Sequence, residues 1–416
     1  MYSILILAII IQGFCSCSRQ EEKEEEAIVL TVLAGQSTTD AGIEDMIDDW
    51  MEEKYPNVKL EWECVDWGNR FASQMQGRLA AGNIPDIMVG KVQNIKAYAS
   101  TGQLGVISEK SRGQIEENAL EAVSLNGCVY GMPYNSWYQG VIYNKNIFKD
   151  QGIKPPSTLK ELDIVIEKLQ SAGIVPFASH FQESWSVANM TMQQMINTIF
   201  KNEPEWGDSF RNGETDCTGN KKVISCFLNN KKILKHSWKD AMQIDQFESD
   251  NRFMQGKAAM YLTGSWTMQF ASQYGQDTEF GIFPFPNKDG NPYLIHETNL
   301  TFMKSANTKY EELIDSIFYE LQNDKKLLGE ILEFTQSSPA VKGMEPGYVN
   351  KIQNDIDKYI KEGRIIDASQ GNSQLIWDFQ NDAAKEQICW LKKEKTLDDV
   401  LEYMDKNREN SMYGGK

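Results

Sequence analysis

The chain alternates between two hydrophobic periods, one of strands and one of helices. Ala27-Ile-Val-Leu-Thr-Val-Leu33 is a continuous apolar run of strand length, the pattern of a strand covered on both faces. After a polar loop from Gly35 to Thr39, Ile43, Met46, Ile47, Trp50 and Met51 fall on one helical face with acids opposite. Pro56-Asn57 ends that helix, and Val58-Lys-Leu-Glu-Trp62 predicts a second strand. Strand, helix and strand within about thirty residues make a βαβ unit and hence a parallel sheet. Phe71, Met75 and Leu79 mark the next helix, which stops at Gly82-Asn83, and Pro85 to Val89 reads as a third strand. Asp86 either caps the turn before that strand or reaches toward a cleft, the structural role being favoured.

Residues 127–159 change the rhythm. Pro133-Tyr134-Asn135-Ser136-Trp137 is an aromatic and polar cluster between two strand-like runs, followed by a turn and Pro155-Pro156. That order suits a segment crossing from one lobe to another past a ligand cleft. Thr158 and Glu161 then form a capping-box pattern, and Leu162, Val165, Ile166 and Leu169 give the helix its apolar face. Gly173 to Ala178 restarts the αβ alternation as a second lobe, with helical stretches expected over Val187 to Phe200 and Lys221 to Leu234. Gly256 suits the left-handed residue that ends a helix. Ala259 to Leu262 and Phe280 to Phe285 predict short strands, with Ser265 as the N-cap of a helix between them. Leu294 to Lys304 crosses back, Tyr310 to Phe318 opens a helix, and the part from Val349 onward reads as helical, its last helix opened by Thr396. Lys201 to Thr218 reads as an irregular insertion.

Composition narrows the class. At 416 residues the chain exceeds one ordinary core, so two or three lobes are expected. A net charge of -17 argues against nucleic acid and against adsorption to anionic membranes, both of which need a basic surface. Ile4 to Ile11 is an unbroken apolar run, too short to span a bilayer and of signal-peptide length. Glu21 to Glu26 is a self-repelling charged stretch that reads as a solvated tether. Cys64, Cys128, Cys217, Cys226 and Cys389 are odd in number and irregular in spacing, which favours free thiols, with a local Cys217–Cys226 pair as the alternative. His180, His236 and His296 show no metal-ligand spacing, and no cofactor motif is present.

Several blocks resemble one family in that family's order. They are Leu79-Ala-Ala-Gly-Asn-Ile-Pro-Asp86, the Tyr130 to Phe148 crossover, Phe253-Met-Gln-Gly-Lys-Ala-Ala-Met260 followed by Gly264-Ser265-Trp266, Phe280 to Pro286, and Thr396 to Leu401. Together they are similar to bacterial extracellular solute-binding proteins of family 1, the substrate-binding lipoproteins of carbohydrate ABC importers. The resemblance implies an α/β, two-lobed periplasmic-binding-protein-like fold of type II. Each lobe is then a mostly parallel sheet flanked by helices, with the ligand between the lobes. It divides the chain into a lipoprotein signal peptide (1–17), an acidic tether (18–26), an N-terminal lobe (27–135 with 299–335) and a C-terminal lobe (136–298 with 336–416). Gly13 to Cys17 resembles a lipobox with Cys17 as the lipidated residue, which implies a lipid-anchored protein at the outer face of the cytoplasmic membrane. Phe14 is an unusual residue three positions before that cysteine.

The chemistry implied is recognition, with no bond made. A sugar offers one apolar face for flat rings and a rim of hydroxyls for amides and carboxylates. By resemblance the rings are Trp266, Trp185 (with Glu183 as a hydroxyl acceptor), and Trp377; Trp137 faces the ligand beside Asn135. Trp67 is a further candidate, and Gln36, Gln93, Asn94, Glu297 and Asp378 stand at predicted loop ends near the cleft. Trp50, Trp62 and Trp390 read as core. Expected partners are a carbohydrate and membrane permease subunits, with the protein a monomer and hinges near Tyr134 to Gln139, Ile295 to Asn299 and Thr335 to Ser338. A solute-binding sensor and a binder of a non-sugar solute share these features. A glycosidase would need a marked carboxylate pair; Glu183 and Asp378 carry no such mark in the sequence, so no enzyme is expected.

Overall fold

A computed structural model gives the fold of residues 27–35, 42–65, 69–271, 278–344, 350–368 and 375–411, the residues described below. Its strands are β1 (Ile28–Gly35), β2 (Val58–Val65), β3 (Ile87–Lys91), β4 (Ser124–Leu125), β5 (Cys128–Val129), β6 (Met132–Pro133) and β7 (Asn135–Asn144). They continue with β8 (Val175–Ala178), β9 (Ala258–Gly264), β10 (Phe280–Phe283), β11 (Leu294–Thr298), β12 (Leu300–Lys304), β13 (Ser338–Pro339) and β14 (Ile365–Asp367). A five-stranded sheet runs β2-β1-β3-β12-β6, and a seven-stranded sheet runs β14-β11-β7-β9-β8 with β10 and β13 also on β7. The hairpin β4-β5 stands apart.

The α/β class holds, but the sheets are mixed rather than mostly parallel. β1 is parallel to β2 and β3, and β8 to β9, as the βαβ rhythm predicts. β7, however, lies antiparallel to β9, β10, β11 and β13, and β12 antiparallel to β3 and β6. The chain enters the second sheet straight from β6 through Tyr134 into β7 and returns straight from β11 through Asn299 into β12. A return strand laid beside its outgoing strand, without a helical crossover, must run the opposite way.

Each sheet packs its own core. Leu30, Val32 and Leu33 of β1 meet Ile43, Ile47, Trp50 and Met51 of the helix Ile43–Lys54, residues at helical spacing as predicted. Ala340 and Val341 also join this first core. The buried ammonium of Lys304 on β12 reaches Asp315 at 2.9 Å and Glu311 at 3.0 Å, tying the helix Glu311–Asn323 to the sheet. The second core gathers Val141, Ile142, Phe177, Met260 and Phe283 under the helix Leu159–Ser171, whose Thr158–Glu161 capping box forms. A third apolar cluster contains Trp206, Phe210, Cys217, Phe379 and Leu401. It absorbs much of the expected insertion, which forms the helix Trp206–Arg211 with the Trp206 and Phe210 rings stacked at 5.2 Å.

Other local expectations meet mixed outcomes. Asp86 is structural: its carboxylate accepts the Thr31 N–H (3.0 Å), the Thr31 hydroxyl (2.8 Å) and the Thr308 hydroxyl (2.7 Å). Burial pulls its pKa up, yet those donors hold it below the usual carboxylate value. Gly256 has φ 73°, the left-handed value expected. The helix expected to Phe200 is regular only from Ser184 to Met195, then widens into a π turn over Ile196–Phe200. Ser265 is not a helix N-cap. It opens a tight 3-10 turn, Ser265–Phe270, and its hydroxyl instead accepts the Tyr138 N–H at 3.1 Å from the neighbouring strand. β14 lies in the part read as wholly helical. Cys64, Cys128, Cys217, Cys226 and Cys389 are free thiols.

The three expected hinge segments lie side by side. Tyr134 N–H donates to the Leu300 carbonyl (3.2 Å), Asn299 N–H to the Asn135 carbonyl (3.1 Å), and Ala340 N–H to the Tyr134 carbonyl (3.3 Å). β13 pairs Ser338 with Ser136. Among the described residues no helix is long and apolar enough to cross a membrane, and no cluster of side chains is arranged to hold a metal ion.

Candidate functional site

β7 and β11 run side by side where the two sheets meet, so their outward residues face both. Trp137 stands opposite Glu297 in that pairing, and Gln139 follows two residues on, hence on the same face. Glu297 is 5% exposed. The Gln139 amide donates to its carboxylate. Asn189 donates to Gln139 Oε1 at 3.0 Å, and Gln193 donates to Asn189 (2.8 Å) and to the Thr263 carbonyl (3.0 Å). A polar chain thus runs from the boundary into the helix Ser184–Met195. From the first sheet, Lys91 at the end of β3 completes the group. Burial lowers its pKa, and the nearby Glu297 carboxylate works the other way.

Trp266 meets Trp137 edge to face, ring centroids 5.5 Å apart at 61°. This position depends on Gly264: a Cβ there would lie 2.0 Å from the Trp266 ring, so only glycine leaves room. The Trp137 indole N–H is buried and has no hydrogen-bond partner among the described residues. Two rings and a carboxylate–amide–ammonium set are therefore gathered at one boundary. Rings bind C–H faces, and such polar groups bind hydroxyls.

Glu183 and Trp185 lie at the start of the helix Ser184–Met195. Glu183 Oε2 is 2.9 Å from His180 Nδ1 and accepts the Gln246 N–H at 2.7 Å, while the Trp185 side chain also bonds this carboxyl. Burial works to raise Glu183, but these bonds outweigh it and leave the carboxyl below its usual range. The Trp185 ring leans on His180 at 5.1 Å. Behind them Asp250, 1% exposed, accepts from the Gln246 amide at 3.2 Å and lies against the Tyr261 hydroxyl. Burial pushes it up to about 8.

Trp377 and Asp378 open the helix Trp377–Leu391. Gln76, on the helix Asn69–Ala81 of the first sheet, donates to Asp378 at 2.8 Å. Burial chiefly, with Asp382 adding to it, raises the Asp378 pKa. On the other face of β7 and β11, Tyr138 and His296 meet at 5.3 Å, and His296 stands 3.5 Å from Asp367. Asp367 in turn acts on Lys96 of the first sheet's side.

The structure thus brings Trp137, Trp266 and Glu297 together, places Glu183 with Trp185, and sets Asp378 against the facing helix. Asn135 is fully buried in the crossing itself, where its Oδ1 accepts the Leu300 N–H at 3.0 Å. Gln36, Trp67 and Cys17 lie outside the described residues. Trp50 and Trp390 are core residues, and Trp62 packs partly buried against the first core. Gln139, Lys91, Asn189 and Gln76 escaped sequence reasoning. Of these only Gln139 carried a signal, its two-residue spacing from Trp137 on a strand.

A family profile described as bacterial extracellular solute-binding protein matches residues 34–318. A multiple sugar-binding protein of Streptococcus mutans is 23% identical over 355 residues, covering 83% of this chain and 82% of that one. Among solved structures, a chitin oligosaccharide binding protein superposes with a TM-score of 0.79 at 18% identity, covering 93% of this chain and 99% of that one. A Bacillus licheniformis sugar transporter protein in complex with stachyose gives 0.76 at 18% identity, covering 91% and 99%.

Proposed function

The chain belongs to the bacterial extracellular solute-binding protein family, and from that premise we propose that it binds a carbohydrate outside the cytoplasm and delivers it to an ABC importer. The observation that carries the reading is the Trp137–Trp266 pair beside Glu297 and Gln139 at the boundary of the two sheets. The relatives' sugar-binding names point the same way. The cations at the boundary stand near carboxylates, Lys91 near Glu297 and Lys96 near Glu121 and Asp367, which favours a neutral polyol over an anion.

In this reading the lobes are 27–135 with 299–335 and 136–298 with 336–416, except that Ala340 and Val341 pack in the first core. They swing about Tyr134, Asn299 and the segment before Ser338. Ligand touches both lobes only when they are shut, so binding shifts the population toward closure. A permease reads that closed form. Cys17 carries lipid, residues 18–26 form the tether, and the protein acts as a monomer without catalysis.

A thermal-shift screen of mono- and oligosaccharides tests this. A sugar at a hundred times its dissociation constant stabilises the fold by about 2.7 kcal/mol. Trp266→Ala is expected to abolish that shift while leaving the unliganded melting temperature within a few degrees. A shift with peptides or polyamines and none with sugars would discard the carbohydrate.

A further inference from the structure

The helix Trp377–Leu391 begins without a side-chain cap of its own. Its N-cap residue, Ile376, is aliphatic and accepts nothing, so the N-cap cannot satisfy the opening N–H groups. Yet this first turn carries Asp378, whose carboxylate takes the amide of Gln76 from the first sheet's side at 2.8 Å. A bond across the boundary needs the helix start held in place, and the hold comes from elsewhere. The Ile376 N–H donates to the Ser411 carbonyl at 3.0 Å. Ser411 is fully buried in the 3-10 turn Arg408–Ser411, and its hydroxyl donates to the Arg408 carbonyl, closing that turn. Arg408 in turn grips the segment read as an insertion. Its guanidinium donates to the Phe210 carbonyl (3.0 Å) and the Thr215 carbonyl (3.1 Å), pairs with the Asp216 carboxylate, and lies over the Phe210 ring at 5.1 Å. Its Nε–H donates to the Asp405 carbonyl at 2.8 Å, and the Asp405 carboxylate accepts the N–H groups of Cys217 (2.7 Å) and Thr218 (3.0 Å). A planar guanidinium can spread its donors over several acceptors at once, which a lysine ammonium does poorly. Phe210 then returns to the helix start, its ring 5.9 Å from that of Phe379. The contacts close a circuit through Ile376, Ser411, Arg408, Phe210 and Phe379, and its two ends flank Asp378.

We infer that the Arg408–Ser411 turn and the 201–218 segment form a clasp on the first turn of the helix Trp377–Leu391, and that Arg408 is a positioning residue for Asp378 and so for its bond to Gln76. An arginine that merely supported the third apolar cluster would have no reason to converge on one helix start. Here both routes from it, through Ser411 and through Phe210, end on either side of the residue that reaches across the boundary. The consequence for ligand affinity rests on the carbohydrate reading above.

The test joins hydrogen exchange with binding, both on the full chain. Arg408→Met keeps the stem and removes the donors. Without ligand it is expected to speed exchange of the Ile376 amide about tenfold while the amides of β7 and β9 stay unchanged. Calorimetric titration then uses raffinose, maltotriose, xylotriose and chitotriose as probes. For the probe that binds, Arg408→Met should weaken affinity about two- to fivefold, and Gln76→Ala added to it should weaken affinity no further, because the bond is already lost. Ser411→Ala opens the turn without touching the guanidinium; it should act in the same direction less strongly, and it carries the test if Arg408→Met does not fold. Ile376 exchange unchanged in both variants overturns the clasp. Faster exchange spread evenly over all protected amides, or an affinity loss that adds to that of Gln76→Ala, leaves Arg408 a structural role alone and overturns the positioning. If no probe binds the wild type, the carbohydrate reading falls, and exchange at Ile376 still decides the clasp.

Discussion

Two buried carboxyl groups in this molecule are handled in opposite ways. Glu297, at the crossing, takes an amide from Gln139 in its own sheet and feels the charge of Lys91 at the end of β3 in the other. Asp250 has partners from one side only: Gln246 of its own helix and Tyr261 of β9, with Glu183 and Asp245 adding repulsion. Burial, with the repulsion of Glu183 and Asp245, drives it up to about 8, so that it keeps its proton at neutral pH. The difference separates two kinds of linkage. A charge whose partner comes from the other sheet couples to how the sheets meet. A charge deprived of a partner couples to protons instead.

The largest effect is expected from removing the cross-sheet cation. Lys91→Met leaves the buried Glu297 without the cation that acts on it, and breaking a buried pair costs about 3 kcal/mol. Urea unfolding should show the midpoint fall, and Glu297→Gln in the same background should recover most of it, because the uncompensated charge is then gone. Additive losses in the double variant would mean that the two side chains act separately.

Asp250 gives the next effect, with a sign set by its protonation. Its carboxyl has a pKa of about 8 in the folded protein against 3.8 when unfolded. Between those values the unfolded chain has lost the proton and the folded one retains it, so stability falls as pH rises through that window. Below about 4 the contribution is fully present, and above about 8 it is lost. From pH 6 to 7.5 the drop amounts to about 2 kcal/mol at the limiting slope. Asp250→Asn should flatten the profile in that range, read as the melting temperature at a series of pH values. A slope unchanged by the substitution would place the charged form of Asp250 in the native state.

What was legible in the sequence follows the same division. Periodicity found β1, β2, the helix Ile43–Lys54 and the Thr158–Glu161 box, because each rests on neighbours a few residues away. The resemblance led to Trp266 and Trp137, and the structure joins them. The antiparallel placement of β7 against β11 was not visible, since it depends on strands 158 residues apart finding one register, as the Gln139–Glu297 bond shows. Asn135 looked like a ligand group because it sits beside Trp137, yet at the crossing it is fully buried and its Oδ1 accepts the Leu300 N–H. Lys91 and Gln76 had no local mark at all, for the groups they act on, Glu297 and Asp378, lie far along the chain. Asp250 was equally silent: nothing near it in sequence announces burial.

The smallest expected effect returns to a contact between the sheets. Gln76 and Asp378 are 302 residues apart, and their 2.8 Å bond joins the helix Asn69–Ala81 to the helix Trp377–Leu391. Gln76 is exposed, so the bond is worth about 0.5–1 kcal/mol at most. It forms only while the two helices stand at this separation. Gln76→Ala should therefore weaken ligand affinity about two- to fivefold, through faster release, without moving the melting temperature of the unliganded protein. Asp378→Asn keeps an oxygen that can accept from Gln76, and burial already disfavours the charge at this position, so it should weaken binding less than Gln76→Ala does. The reverse order, Asp378→Asn far more damaging than Gln76→Ala, would mean that the carboxylate meets the sugar directly, and the bond to Gln76 would then be a by-product of closure rather than a part of it.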